Sequence, residues 1–213
     1  MGINLGAGFE NLNGNSSISN QSAGILNLNK NDILDLRKAE PGLKHVVLAA
    51  GWDVAKKGFF GLGTDYDLDL IAILLNENDK LINRGVIYFG NLNGQGIYLH
   101  GDNRTGAGDG DDEKISVNLD KLPGNCSKVI FALNIYDAVA RKQSFSKVKN
   151  AYIRLLNEDS GNKEICRYNL SEDGGDNTAL LFAELERKNG SWQFKARGEL
   201  LHATVSSLAN MYK

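Results

Sequence analysis

The chain has 213 residues, of which 42% are hydrophobic and 23% are charged, a balance typical of one globular domain with or without an appendage. No apolar run approaches the ~20 residues of a membrane-spanning helix, and the N-terminus lacks the basic and apolar regions of a signal peptide. Cys126 and Cys166 form no metal-binding or redox pattern. The sequence therefore predicts a cytoplasmic protein, and its net charge of −2 gives no reason to expect a nucleic-acid partner.

The first 23 residues are rich in Asn, Ser and Gly, which predicts a flexible extension ahead of one folded domain at 24–213. From there, short β-branched and aromatic runs alternate with Gly, Asn and Asp. A dozen such runs at close spacing predict an all-β protein, either a two-sheet sandwich or a barrel. In chain order the runs are ILNL, DILDL, HVVLAA, DLDLIAILL, VIYF, IYLH, KISVNL, KVIFALNIY, AYIRLL, EICRYNL, ALLFAELER and WQFKAR.

Two segments break this pattern and predict short helices. One is the turn around Asp137–Gln143, and the other is the C-terminal LLHATVSSLANMY. In the second, four apolar residues share one helical face: Leu201, Val205, Leu208 and Tyr212. The pairs Asn93-Gly94 and Asn189-Gly190 predict hairpin turns between the runs on either side of them.

Acidic charge is concentrated in two segments, 53–69 and 102–113, which hold nine acids and three bases. Their local charge is −6, while the rest of the chain carries 17 acids and 21 bases, or +4. In TDYDLDL, Asp65, Asp67 and Asp69 alternate, so an extended strand would place their carboxylates on one face. Carboxylates held this close repel one another unless they are protonated or share a cation. The pattern therefore predicts a cation site.

The donor atoms of the acidic segments indicate which cation would bind. The run HGDNRTGAGDGDDE, from His100 to Glu113, offers carboxylates, an amide and glycine carbonyls, all of which are oxygen donors. Such a set suits Ca²⁺, with about 6–8 oxygen ligands, better than Mg²⁺, and it does not suit zinc or copper. Nine acids exceed the needs of one site, so we expect two ions. An acidic turn that binds nothing is the alternative. The candidate ligands are Asp53, Asp65, Asp67, Asp69, Gly101, Asp102, Asn103, Gly106, Gly108, Asp109, Asp111, Asp112 and Glu113.

Six motifs in order give the chain a family resemblance. They are GWD at 51–53, DLD at 67–69, HGDNRTGAGDGDDE at 100–113, IYDAVARKQSFSKVKNAYIRLLN at 135–157, RYNLSED at 167–173 and TALLFAELERKNGSWQFKARG at 178–198. From about Gly24 onwards the chain resembles the TerD family of tellurite-resistance and general stress proteins. The resemblance implies a β-sandwich with calcium in acidic loops at one end and no established catalytic activity. The implied acidic-loop residues are Asp53, Asp67, Asp69, Asp102, Asn103, Asp109, Asp111, Asp112 and Glu113.

The chain departs from the family pattern in three places. DLDLI replaces the usual DLDAS or DLDSS, KKGFFGLGT replaces a shorter polar loop, and GELLHATVSSLA replaces a glycine-rich C-terminal region. These departures leave the metal loops intact but put the family's C-terminal surface in doubt.

Residues beside the acidic loops have competing interpretations. Trp52 is expected to fill the core rather than bind a ligand. His100 is expected to orient the loop, since imidazole is a poor Ca²⁺ ligand. The polar turn containing Asp137, Arg141 and Gln143 either faces the metal end or only caps the chain.

Three classes of function fit the pattern. The favoured one is a non-catalytic calcium-binding module that serves unidentified protein partners. A metal-dependent phosphoryl-transfer enzyme is opposed by the lack of a placed nucleophile, general base or P-loop. The third class is calcium-dependent binding to an anionic membrane surface, which is suggested by Lys56, Lys57, Phe59 and Phe60. Alternatively, the two phenylalanines fold back under their loop.

Overall fold

Two β-sheets packed face to face form the fold in a computed structural model that describes residues 25–54, 66–101 and 110–213. This arrangement confirms the predicted all-β sandwich. The predicted extension at 1–23 and the loop that contains Lys56, Lys57, Phe59 and Phe60 lie outside the described residues. No helix among the described residues is long and apolar enough to cross a membrane.

The described part of the chain contains thirteen strands, three short α-helices and two 3-10 helices at Phe145–Lys147 and Glu158–Ser160. The elements are β1 (Leu26–Leu28), β2 (Ile33–Asp35), α1 (Leu36–Ala39), β3 (His45–Val54), β4 (Leu68–Leu75), β5 (Leu81–Ile87), β6 (Asn93–Gly94), β7 (Ile97–Leu99), β8 (Glu113–Asn118), β9 (Lys128–Ile135), α2 (Ala138–Arg141), β10 (Val148–Asn157), β11 (Lys163–Asn169), β12 (Ala179–Lys188), β13 (Ser191–Leu201) and α3 (Val205–Asn210). One sheet has the order β1-β11-β10-β3-β8-β7-β6 and the other β2-β13-β12-β9-β4-β5.

Strand register brings the described ends of both acidic segments to one end of the sandwich. Leu68 at the start of β4 lies opposite Ile135 at the end of β9, and Val148 of β10 lies opposite Val54 of β3. Among the described residues, the chain also passes between the two sheets at this end through residues 136–147 and 170–178. We call this end, which also includes the start of β8, the acidic end.

Strand β4 is buried along its whole length, which explains its unbroken apolar run. Leu68, Leu70, Ala72 and Leu74 pack in the core between the sheets. Their neighbours on the outer face are covered by the C-terminal helix α3, whose Leu208 is fully buried there. The predicted helix is therefore confirmed, and a capping box at Thr204 starts it. Leu201, expected on that helix, instead ends β13.

The two predicted hairpin turns have different outcomes. Asn189 and Gly190, with φ of 50° and 71°, connect the paired residues Lys188 and Ser191, as predicted. The Asn93-Gly94 prediction is wrong, because these residues form β6 and the turn falls two residues later, at Gln95-Gly96. A Cβ at residue 96 would meet backbone of Lys121 at 2.8 Å, so the close approach of two chain segments requires glycine there.

A bulge in β13 places a second glycine under constraint. The pairing of β12 with β13 shifts between Leu181 and Ala183, and Gly198 adopts φ +63° beside that shift. A Cβ on Gly198 would overlap the hydroxyl of Tyr168, a buried core residue. Both backbone conformation and space therefore restrict this position to glycine.

Candidate metal centre

Asp67 and Asp69 are placed by the first residues of β4. Asp67 lies immediately before β4 and Asp69 is its second residue, and the shared face predicted from their alternate spacing stays a prediction. Both side chains are less than a tenth exposed. The carbonyl of Asp67 accepts a hydrogen bond from the Tyr136 amide at 2.8 Å, which fastens this segment to the end of β9. Two acids are thereby held at the acidic end largely out of solvent.

Asp112 and Glu113 bring two more buried carboxylates to the same end. Asp112 Oδ2 accepts a hydrogen bond from the Trp52 amide at 2.8 Å, and Trp52 itself is buried in the core, as predicted. Glu113 Oε2 accepts from the Leu70 amide at 2.6 Å. Because Glu113 lies on β8 and Leu70 on β4, this side chain bridges the two sheets. Backbone donors therefore fix these two carboxylates.

Arg141 introduces a cation at the acidic end. Its Nη1 lies 3.7 Å from Asp67 Oδ2, and its guanidinium lies 4.9 Å from the ring centroid of Tyr136. Helix α2 carries this arginine, and the nearby Gln143 is buried. Arg141 therefore faces the acidic end, which was one of the two interpretations of the polar turn.

Asp111 lies in a different environment from its neighbours in the acidic motif. Arg154 donates two hydrogen bonds of 2.7 Å to it, Nε to Oδ1 and Nη2 to Oδ2. The Tyr152 hydroxyl donates to Oδ1 at 3.1 Å, and Lys114 Nζ lies 3.2 Å from Oδ2. Burial acts to raise the pKa of Asp111, but Arg154 and then Lys114 outweigh it and hold the pKa below its usual value. Both carboxylate oxygens therefore serve an ion pair.

This ion pair extends into a network on the outer face of the seven-stranded sheet. Glu164 accepts hydrogen bonds from Arg154 at 2.9 Å and from Arg167 at 3.0 Å. The Arg167 guanidinium lies 4.5 Å from the ring centroid of Tyr152. Burial, followed by the charge of Asp111 and its hydrogen bond, raises the pKa of Tyr152 to about 12. We call Asp111, Tyr152, Arg154, Glu164 and Arg167 the outer-face network.

The remaining predicted ligands are more peripheral or lie outside the described residues. Asp53 is exposed, and its Oδ2 accepts a hydrogen bond of 2.6 Å from Asn150. Gly101 is exposed and follows His100, whose Nε2 lies 2.7 Å from Ser116 Oγ. Outside the described residues are Asp65, Asp102, Asn103, Gly106, Gly108 and Asp109.

Within the described ranges, no group of three or more His, Cys, Asp and Glu side chains has the geometry of a metal site. These ranges do place four buried carboxylates at the acidic end, two at the start of β4 and two at the start of β8. They are Asp67, Asp69, Asp112 and Glu113, which we call the buried acid set.

Comparison with known proteins identifies the family. The TerD domain model matches residues 25–212. The chain belongs to the TerD family. Tellurium resistance protein TerD of Serratia marcescens is 43% identical over 192 residues, covering 88% of this chain and 96% of that protein. General stress protein 16U of Bacillus subtilis (strain 168) is 41% identical over 190 residues, with the same two coverages.

The TerD-family fold is also seen in a solved structure. The crystal structure of a homologue of telluride resistance protein (TerD) from Streptomyces coelicolor A3(2) is similar, with a TM-score of 0.65. That chain is 23% identical, and the match covers 81% of this chain and 99% of that one. At this identity the likeness supports the sandwich architecture alone.

Proposed function

We propose that this member of a tellurium-resistance and general stress protein family is a non-catalytic calcium-binding module. The observation that carries the proposal is the buried acid set, four carboxylates withdrawn from water at the acidic end. Burying carboxylates is costly unless hydrogen bonds or cations compensate their charge. A divalent cation bound by some of these acids together with acids of the two adjoining segments would supply that charge in the folded state only.

The donor set fits a hard cation. Asp67 and Asp69 supply carboxylates from one strand. Asp112 and Glu113 each accept a backbone hydrogen bond through one carboxylate oxygen, Oδ2 and Oε2 respectively. The second oxygen of each group is Asp112 Oδ1 and Glu113 Oε1. We propose that these groups bind calcium together with the loop residues Asp65, Asp102, Asn103, Gly106, Gly108 and Asp109, with Asp53 and Gly101 at the margin. An oxygen-only set with flexible glycine carbonyls favours Ca²⁺ over the stricter octahedron of Mg²⁺.

Asp111 is not part of the proposed ligand set. A cation placed on its carboxylate would have to displace Arg154 and would lie near Lys114, both positively charged. Removing it still leaves eight acids in the two acidic segments. That number supports two ions rather than one, since each ion needs several carboxylates.

Calorimetric titration of chelator-treated protein with Ca²⁺ and with Mg²⁺ tests the proposal. We expect binding of about two calcium ions and weaker binding of magnesium. Asp67→Asn and Asp69→Asn should weaken calcium binding, whereas Asp120→Asn, an exposed acid at the opposite end, should not. No heat with calcium, or equal affinities for both metals, would overturn the proposal.

The proposed module acts in the cytoplasm during stress and binds protein partners. Relatives are named as resistance and stress proteins, which supports a role in stress physiology, and we propose that this role is exerted through protein partners rather than through catalysis. Cys126 and Cys166 are free and buried, consistent with the reducing cytoplasm. Isolating the protein from stressed cells with calcium and with chelator would test this. Calcium-dependent co-purification of defined partners is expected, and a specific turnover of phosphate esters would contradict the non-catalytic assignment.

A further inference from the structure

A small apolar patch projects from the acidic end. Val139 on α2 is 83% exposed, and the rings of Phe89 and Tyr136 are each 41% exposed. The two rings contact edge to face with centroids 5.6 Å apart, and Phe89 also contacts Tyr88 at 5.1 Å. The aromatic edges therefore form one surface at the end of the sandwich that also carries the protruding Val139 side chain.

The segment that carries Val139 is basic. Residues 136–149, which we call the crossover, contain four bases and one acid, giving a net charge of +3. Ala138, Gln143, Phe145 and Val148 are buried and anchor the crossover to the sandwich. Lys142 and Lys147 lie between these anchors and Lys149 follows the last of them, and all three lysines are exposed.

These three lysines are available to a partner. Among the described residues none of them forms an ion pair, whereas Arg141 is directed towards Asp67. The buried anchors fix the backbone between them, so the lysines and Val139 are displayed by an ordered segment. Charge and apolar surface thus occur together on the crossover.

The size of the patch decides between classes of partner. A stable protein interface takes about 20–30 residues from each side, with a packed apolar centre. One valine and two half-exposed rings are too few for that centre. They are suited to shallow insertion at a bilayer surface, where aromatic rings favour the headgroup level and lysines are attracted to anionic lipids.

We propose that the crossover docks on an anionic phospholipid surface. Val139, Phe89 and Tyr136 enter the headgroup boundary, and Lys142, Lys147 and Lys149 contact the lipid phosphates. This site uses none of the proposed calcium ligands. Because the acidic segments at the same end carry a charge of −6, docking should be stronger with calcium than with chelator, and in that respect it rests on the proposed function.

Sedimentation of the full chain with vesicles tests the site. One set of vesicles is phosphatidylglycerol with phosphatidylcholine, and the other is phosphatidylcholine alone, each with calcium and with chelator. Lys142→Gln/Lys147→Gln/Lys149→Gln should weaken binding to the anionic vesicles about 100-fold, from the usual attraction of each lysine to such a surface. Val139→Ser should also weaken it, and because Val139 is exposed this variant should unfold at the wild-type temperature.

Two control variants match these changes at other places. Met211→Ser alters another exposed apolar residue, and Lys38→Gln/Lys121→Gln/Lys188→Gln removes three exposed bases at the end opposite the crossover. Both should bind anionic vesicles as the wild type does.

The outcomes separate this inference from the calcium proposal. Absence of wild-type binding in both calcium and chelator would overturn the docking site, as would equal binding to uncharged vesicles. Binding that is indifferent to the crossover variants would also overturn it. Calcium titration of the same preparations decides the calcium proposal independently, because it needs no vesicles.

Discussion

Arg154 binds Asp111 through two parallel hydrogen bonds of 2.7 Å, one to each carboxylate oxygen. The side chain of Asp111 is almost fully buried, while that of Arg154 is partly exposed. This fork geometry combines charge with fixed direction, which makes it stronger than a surface ion pair. An aspartate in the middle of the acidic motif therefore stabilises the sheet, while its neighbours Asp112 and Glu113 face the acidic end.

Asp111→Asn should lower the free energy of unfolding by about 3 kcal/mol, because it removes one partner of a buried pair and leaves Arg154 without its main acceptor. Its calcium titration should remain like that of the wild type. Asp67→Asn should show the reverse pattern, with impaired calcium binding and little loss of unfolding free energy. Urea unfolding and calorimetry measure the two effects, and a loss of calcium affinity in Asp111→Asn equal to that in Asp67→Asn would return Asp111 to the ligand set.

Acid should remove the contribution of Asp111 to stability. Its pKa in the folded protein is lowered below the unfolded value of about 3.9, so the folded state favours the ionised form. The contribution is fully present above that unfolded value and is lost as pH falls through the folded pKa. The stability difference between wild type and Asp111→Asn should therefore shrink below about pH 4. Chemical denaturation at a series of pH values checks this, and a constant difference down to pH 2 would contradict it.

Calcium should stabilise the fold. An ion that binds only the native state at a hundred times its dissociation constant adds about 2.7 kcal/mol per site. Asp67→Ala should lose most of this increment while its calcium-free form unfolds at about the wild-type temperature, since relief of repulsion among the acids offsets loss of the 3.7 Å contact with Arg141. Thermal unfolding with calcium and with chelator measures both. If the calcium-free variant is instead strongly destabilised, Asp67 acts as a structural acceptor.

Gly198→Ala should destabilise the protein more than Gly190→Ala. Both glycines have positive φ, +63° and +71°, so both substitutions carry a backbone cost of about 1–2 kcal/mol. Only at Gly198 would the new Cβ also overlap Tyr168, while nothing lies within 4 Å of a Cβ at Gly190. Urea midpoints of the two variants give the comparison. Equal losses would mean that Tyr168 moves aside freely.

The sequence predicted the sandwich well because local alternation and turn residues determine most strands. It could not show that β4 is buried on both faces, since the cover comes from α3 more than a hundred residues later. The sequence of the acidic motif likewise could not show that its aspartates have different roles. Asp111 and Asp112 look alike in GDGDDE, and what separates them is Arg154, 43 residues away on another strand.

The position of Arg141 shows the same limit. Its turn was predicted, but its approach to Asp67 depends on the register that places the end of β9 beside the start of β4. The alternate spacing of Tyr152 and Arg154 in AYIRLL, with Arg167 on the next strand, was an available signal for the outer-face network. Recognising it required knowing that these strands are neighbours.

The parallel pairing of β1 with β11 has a practical consequence. Leu26 thereby enters its sheet on the side of the molecule away from the acidic end, and the carbonyl of Lys213 lies there too, 2.7 Å from Lys80 Nζ in the turn after β4. A fluorophore, tag or surface linker attached through either of these regions would be remote from the candidate calcium and lipid sites. Immobilised in this way, the protein would present its acidic end to solution, which is the orientation that a calcium sensor or a vesicle-capture assay requires.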